Sequence, residues 1–335
     1  MNSSLPVDES SYDDLFEIEN AAEAVGGAID DPYPIWTALL AKGPVHRGTL
    51  AECMGLPPER NGGGLYQPGV TYYSVFSFAA VSDVFTRKDD FSSEVYVDMG
   101  TSQRFGDSIL NMDGLRHRRY RDLIQAYFQP AAAESWWRDK VIANLAEQLI
   151  GRFEKQRSVD LNSQLFARLP LHTVTVGFGM SFQEGVEFRR HMLRSVHGTM
   201  PEERSASMSA AGRILEHVIL QRQRQPQDDL ISKLAHALLE EDDGSRRKLT
   251  VEEIASFCRL IVFAGGETTW RQLGIAMFAL LNHPDQLREV ARDRSLLQNA
   301  IMESTRWNPD PLFPRKVKRE TILHGVELPK DAVLH

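Results

Sequence analysis

Residues Thr250–Pro284 read TVEEIASFCRLIVFAGGETTWRQLGIAMFALLNHP, and the reading of this stretch decides what kind of fold the chain adopts. Thr250 followed by Glu253 is a capping box, and Leu249 with Ile254 can staple the entry of a helix. Asn282-His283-Pro284 stops the pattern, because the residue before a proline avoids the α conformation. Between these signals lie roughly 32 residues, or about 48 Å of helix. Residues 260–264 are apolar all round, which predicts a helix whose middle lies in the core. The turns that follow run FAGGETTW, Phe263–Trp270. Gly265, Gly266, Thr268 and Thr269 together forgo roughly 3 kcal/mol of helix propensity, so something must offset them. One reading is close packing of a neighbouring helix on Gly265 and Gly266, with Glu267 in solvent and Thr268 bonded back to a carbonyl one turn earlier. The other is a flat patch where a planar ligand approaches the backbone, beside an acid and a hydroxyl able to relay protons.

The rest of the chain bounds the answer. It has 335 residues, 42% hydrophobic and 25% charged, the composition of an ordinary globular protein with a sizeable core. The net charge of −8 gives no electrostatic reason to expect nucleic acid or an anionic membrane as partner. Only Cys53 and Cys258 are present, far apart and without metal-ligand spacing, so no metal site is expected and a reducing cytoplasm fits. Residues 1–30 are polar and acidic, with no basic segment leading into an apolar run, and read as a disordered tail. The most apolar later stretch, Leu260–Ala264, is far shorter than the roughly 18 residues of a membrane span, so a soluble chain is expected.

Upstream, DPYPIWTALLAKGPVH (Asp31–His46) reads as a short helix stopped by Gly43-Pro44, then a strand near Val45–Leu50. Val70–Ser77 alternates aromatic and β-branched residues as a partner strand would. From about Ser82 to Asp310 the punctuation is mostly helical. Gln221–Thr250 reads as a charged helix pair around a Pro-Asp-Asp junction and an acidic, glycine-containing turn. The last segment, FPRKVKRETILHGVELPKDAVLH, returns to short strands. The expectation is a mainly α fold with a small β component made from both ends, hence one interleaved domain over 31–335.

Two more stretches bear on function. In ESTR, Glu303–Arg306, the acid and the base lie three apart and so on one helical face, where taken alone they read as a surface ion pair worth under about 1 kcal/mol. In MDGLRHRRYRDLIQAYFQP, Asp113, His117 and Arg121 recur every four residues, as either a solvated basic face or a clamp for carboxylates or phosphates. These stretches, in this order, resemble the soluble, bacterial-type cytochrome P-450 family, the haem-thiolate monooxygenases. The likeness runs through FSS (Phe91–Ser93), FQP (Phe128–Pro130), DDL (Asp228–Leu230), AGGETT, NHPDQL, ESTR, Pro314-Arg315 and GVELP (Gly325–Pro329).

What the resemblance implies is as follows. The fold would be cytochrome P-450-like. The cofactor would be haem b with molecular oxygen as co-substrate. His117, Arg121 and Arg315 would hold the haem propionates. Ala264 and Gly265 would let the helix approach the porphyrin, while Thr268 would hydrogen-bond oxygen and Glu267 would join the proton supply. Glu303 and Arg306 would form a structural pair buried on the other side of the haem. Residues 94–108 and the helices around 180–212 would roof a pocket for a small apolar substrate, and a ferredoxin or flavodoxin with its reductase would deliver electrons. The family binds its iron through a Cys thiolate in a glycine-rich loop C-terminal to all of these stretches. The sequence contains no such loop, so the fold is expected to be C-terminally incomplete. Cys258 falls about two turns before Gly265 on the wrong helix, and Cys53 has no matching context. Pro329-Lys330-Asp331 stands where the family has Pro-x-Gly. Two alternatives remain open: a non-catalytic apolar-ligand or scaffold protein with the same helical frame, and a carboxylate-bridged di-metal oxidase, which would need Glu-x-x-His repeats the chain lacks.

Overall fold

The computed structural model describes residues 31–61, 66–98, 100–197, 200–308 and 313–335, and the expected acidic tail over 1–30 lies outside them. The first elements are α1 (Tyr33–Lys42), β1 (Val45–Arg47), α2 (Leu50–Cys53), β2 (Tyr72–Val75), α3 (Phe78–Thr86), β3 (Phe91–Ser92), α4 (Val95–Asp98), α5 (Thr101–Phe105) and α6 (Gly114–Gln125). There follow α7 (Pro130–Ala132), α8 (Ala143–Gly151), α9 (Arg168–Gly177), α10 (Phe182–His197), α11 (Pro201–Arg224) and α12 (Leu230–His236). Then come β4 (Leu238–Glu240), β5 (Arg246–Lys248), α13 (Val251–Asn282), α14 (Pro284–Arg292) and α15 (Leu297–Trp307). The last strands are β6 (Arg315–Val317), β7 (Thr321–Leu323), β8 (Val326–Leu328) and β9 (Val333–Leu334). The chain is mainly helical with a small β component, as expected. Its described residues group into two compact units, one of residues 31–117 with 313–335 and one of residues 118–308.

The first unit is built from both ends of the sequence. Its sheet has the order β1-β2-β9-β6-β3, with β2 and β9 parallel and the other neighbours antiparallel. Tyr73 faces Leu334 and Phe91 faces Val317 across the ladder. The strands are short, but their aromatic and β-branched residues turn inward: Val45, Tyr73, Phe91, Val317 and Leu334 pack with Ala80 and Val84 of α3 and with Leu323 and Leu328. Burying each large side chain contributes roughly 1.5–3 kcal/mol. The β7–β8 hairpin turns on His324 and Gly325, both at positive φ (47° and 86°), as a two-residue turn of this hand requires. Asp331, in the place of the family's glycine, takes φ 67°. That left-handed conformation carries a modest cost, one that Asp bears better than most residues. Its amide donates to Val317 O (2.8 Å) and its carboxylate lies 3.5 Å from Lys316 Nζ.

The second unit is helical around α13, which packs against α9, α11, α12 and α15. The capping box is present as read: Glu253 N donates to Thr250 Oγ1 (3.2 Å) and Thr250 N to Glu253 Oε2 (2.7 Å). Leu249 and Ile254 are both buried. The core portion of α13 lies nearer its start than expected: Ile254–Leu260 and Val262 are buried, and Ala264 is exposed. The Pro-Asp-Asp junction is tied by Asp229, which caps α12 through Ser232 N (2.6 Å) and pairs with the buried Arg222 at 2.5 Å. The expected helix pair over 221–250 is only half right, since α12 stops at His236 and the remainder is the β4–β5 hairpin. Leu239 points into the core between the exposed Leu238 and Glu240, and Gly244 at φ 80° closes the turn. That inward-outward alternation over three residues is too short to stand out in the sequence.

Candidate functional site

The change from buried to open along α13 falls on the AGGETT residues. A Cβ added at Gly265 would meet Val174 Cγ2 of α9 at 3.4 Å, whereas one added at Gly266 would meet nothing within 4 Å. Ala264 is exposed, and Thr268, one turn on and so on the same face, donates its hydroxyl to Ala264 O at 2.6 Å. Helix packing thus accounts for Gly265 and for the present bond of Thr268. It does not account for Gly266 or for the open Ala264. Glu267 lies in α13 between these residues, but its side chain is outside the described ones.

The other expected residues are placed as follows. His117 and Arg121 are one turn apart on α6, His117 in the first unit and Arg121 in the second. His117 is half-buried. Arg121 is exposed, and its Nε donates to Gln125 Oε1 at 3.3 Å. Arg315 opens β6 in the first unit, half-buried, with one guanidinium nitrogen donating to Pro314 O at 2.9 Å and its Cζ 4.6 Å from the centroid of Phe85. No carboxylate partners it among the described residues. Its neighbour Lys316 differs: Asp98 (2.8 Å) and Asp331 (3.5 Å) hold its ammonium beside a cavity of about 140 Å³ that Tyr72, Val95 and Val333 also line. That volume is below the several hundred Å³ usual for a drug-sized ligand.

Glu303 and Arg306 pair bidentately, Nε to Oε2 at 2.7 Å and a terminal nitrogen to Oε1 at 2.6 Å. The Arg306 hydrogen bonds hold the Glu303 carboxyl below its ordinary value. The burial expected of this pair is not found: the side chains are 62% and 71% exposed. The residue that α15 turns inward is Ser304, 4% exposed, whose hydroxyl accepts from Gln272 Nε2 of α13 at 3.0 Å. An (i, i+3) pair on the outward face satisfies its own charges without burial.

Cys258 is fully buried on α13 and burial pushes its thiol well up; burial also raises Cys53, which is half-buried. Among the described residues no group of three or more His, Cys, Asp or Glu side chains could hold a metal ion. No helix there is long and apolar enough to cross a membrane.

Two residues near Arg315 escaped the sequence reading. Phe85 supplies the ring beneath its guanidinium, and Tyr96, 7% exposed, sets its phenol beside it. Burial pushes that phenol up, and the neighbouring guanidinium acts in the opposite sense. Nothing periodic relates positions 85, 96 and 315. Only the pairing of β3 with β6 brings these segments together.

Residues 178–334 match the family described as cytochrome P450. Among relatives, the putative cytochrome P450 YjiB of Bacillus subtilis is 27% identical over 76% of this chain and 64% of its own length. The cyclomarin C epoxidase CymV of Salinispora arenicola is 30% identical over 71% and 61%. The chain thus spans less than two thirds of the length of these relatives. Among solved structures, substrate-free CYP109E1 from Bacillus megaterium superposes with a TM-score of 0.73 at 22% identity, covering 91% of this chain and 75% of that one. The cytochrome P450 PksS of the Bacillus subtilis bacillaene polyketide synthase gives 0.73 at 23%, covering 91% and 74%.

Proposed function

Because the chain belongs to the cytochrome P450 family, we propose that its residues form the oxygen-side frame of a haem-dependent monooxygenase acting on a small apolar organic substrate. The observation that carries this reading is the open face of α13, where Ala264 is exposed and Gly266 has clear space while the preceding turns are buried. A planar group can approach backbone only where side chains are this small. Bound haem would supply iron able to activate molecular oxygen for insertion into a C–H bond. Arg315, a half-buried guanidinium without a carboxylate among the described residues, fits a haem propionate, and His117 and Arg121 would join it. Thr268 would turn its hydroxyl from Ala264 O toward the ligand and donate a proton there, with Glu267 as the proton source behind it. The axial thiolate would come from outside these 335 residues. A ferredoxin or flavodoxin with its reductase would serve as electron donor in the cytoplasm.

The reading is tested by titrating hemin into the protein and into Ala264→Trp. Saturable binding that the indole abolishes, with unchanged unfolding behaviour, is the expected result. Equal binding by both proteins would place any bound hemin elsewhere. One second reading is a non-catalytic protein that holds apolar ligands on the same open face of α13. That protein would bind apolar ligands and show no dependence on hemin.

A further inference from the structure

Among the described residues, the groups that hold the Arg315 guanidinium within the unit of residues 31–117 and 313–335 carry no negative charge. The Phe85 ring lies 4.6 Å from its Cζ, Pro314 O takes one N–H at 2.9 Å, and the Tyr96 phenol stands beside it. Tyr96 is itself anchored: its carbonyl accepts from Thr101 Oγ1 at 2.5 Å, its amide donates to Ser93 O at 3.0 Å, and the residue is 7% exposed. A guanidinium has five N–H donors in a rigid fork, and these contacts engage only part of it. A protein that needed only to neutralise this charge would place a carboxylate there, as it does twice around the adjacent Lys316. Instead, an aromatic face and a phenol orient the plane and leave the charge unspent.

We infer that Phe85 and Tyr96 are positioning residues that set the plane of Arg315 for bidentate capture of a carboxylate on the bound cofactor. The inference rests on the haem reading above. An arginine oriented in advance loses less freedom on forming its hydrogen bonds, so the two residues act through Arg315 on carboxylate recognition and leave affinity for the uncharged ring unchanged.

Hemin and hemin dimethyl ester, which keeps the porphyrin and removes both charges, separate these contributions. The parent should prefer hemin over the ester by roughly tenfold or more, the size of a charge-assisted hydrogen bond. In Phe85→Leu that preference should fall roughly fivefold, the size of a lost cation–π contact, with ester affinity unchanged. Tyr96→Phe should act in the same direction. A cofactor-independent readout is the ultraviolet titration of the Tyr96 phenol, isolated by subtracting the Tyr96→Phe curve. Arg315→Ala should move it further up. If the parent discriminates and neither Phe85→Leu nor Tyr96→Phe alters the preference, positioning is overturned while the haem reading stands. A phenol titration unmoved by Arg315→Ala also overturns it. A parent that binds neither porphyrin contradicts the haem reading, and the carboxylate with it.

Discussion

Glu253 carries more than its helix cap. Arg247 grips its carboxylate bidentately at 2.8 Å and 2.8 Å, the Tyr120 hydroxyl donates to it at 2.5 Å, and Thr250 closes the capping box. Burial alone would raise its pKa, but the hydrogen bonds from Arg247, Tyr120 and Thr250 outweigh it and bring the value to about 2 from 4.5. A carboxylate depressed on folding stabilises the protein fully above its unfolded value and loses that contribution as pH falls toward the folded one. Unfolding stability measured against pH should therefore drop between about 4.5 and about 2, and Glu253→Gln should flatten that part of the curve. An unchanged slope in the variant would mean that other carboxylates carry the acid response. Thr268 and Ala264 were readable in the sequence because four residues of helix place them on one face. The exposure of Glu303 and Arg306 agrees with the spacing taken alone, which reads as a surface ion pair, and departs from the burial that the resemblance implied.

Among elements, α13 was legible almost to the residue, because its cap, staple and proline stop are local signals: it runs Val251–Asn282. The β4–β5 hairpin was not, because three-residue strands carry too few positions for a period. The sheet β1-β2-β9-β6-β3 was foreseen only as strands from both ends. Its order depends on residues such as Tyr73 and Leu334, which lie far apart in sequence and meet only on folding. The two glycines of α13 give a test at this scale. Gly266→Ala should stabilise the protein by about 1 kcal/mol in urea unfolding, since its Cβ meets nothing and the helix gains propensity. Gly265→Ala should gain slightly less, because its Cβ would reach Val174 Cγ2 at 3.4 Å, the near limit of ordinary contact. Equal gains at both positions would mean that α9 does not crowd Gly265. Thr250→Ala should cost about 1 kcal/mol through the lost cap.

Across the molecule, large apolar side chains stand exposed on α13 and α15, two helices that pack against each other: Phe278 (61%), Leu281 (59%), Ile301 (47%) and Met302 (64%). Exposed apolar side chains of this size are sites where a hydrophobic probe can bind. The 335-residue chain should bind a hydrophobic dye such as anilinonaphthalene sulfonate while still unfolding cooperatively, and Phe278→Ser with Met302→Ser should reduce the dye signal without lowering the melting temperature. A lowered melting temperature would show that these side chains are packed. The open face of α13 and Arg315, which has no carboxylate partner among the described residues, are the observations on which the proposed haem reading rests. The most direct measurement is the carbon monoxide difference spectrum of a chimera. In it, His335 is followed by the segment that succeeds the aligned residues in Bacillus subtilis PksS. A family haem frame predicts a thiolate-type carbonyl spectrum from the chimera that is absent from the 335-residue chain and unaffected by Cys53→Ala or Cys258→Ala. A folded chimera without that spectrum, or the spectrum from the 335 residues alone, would contradict it.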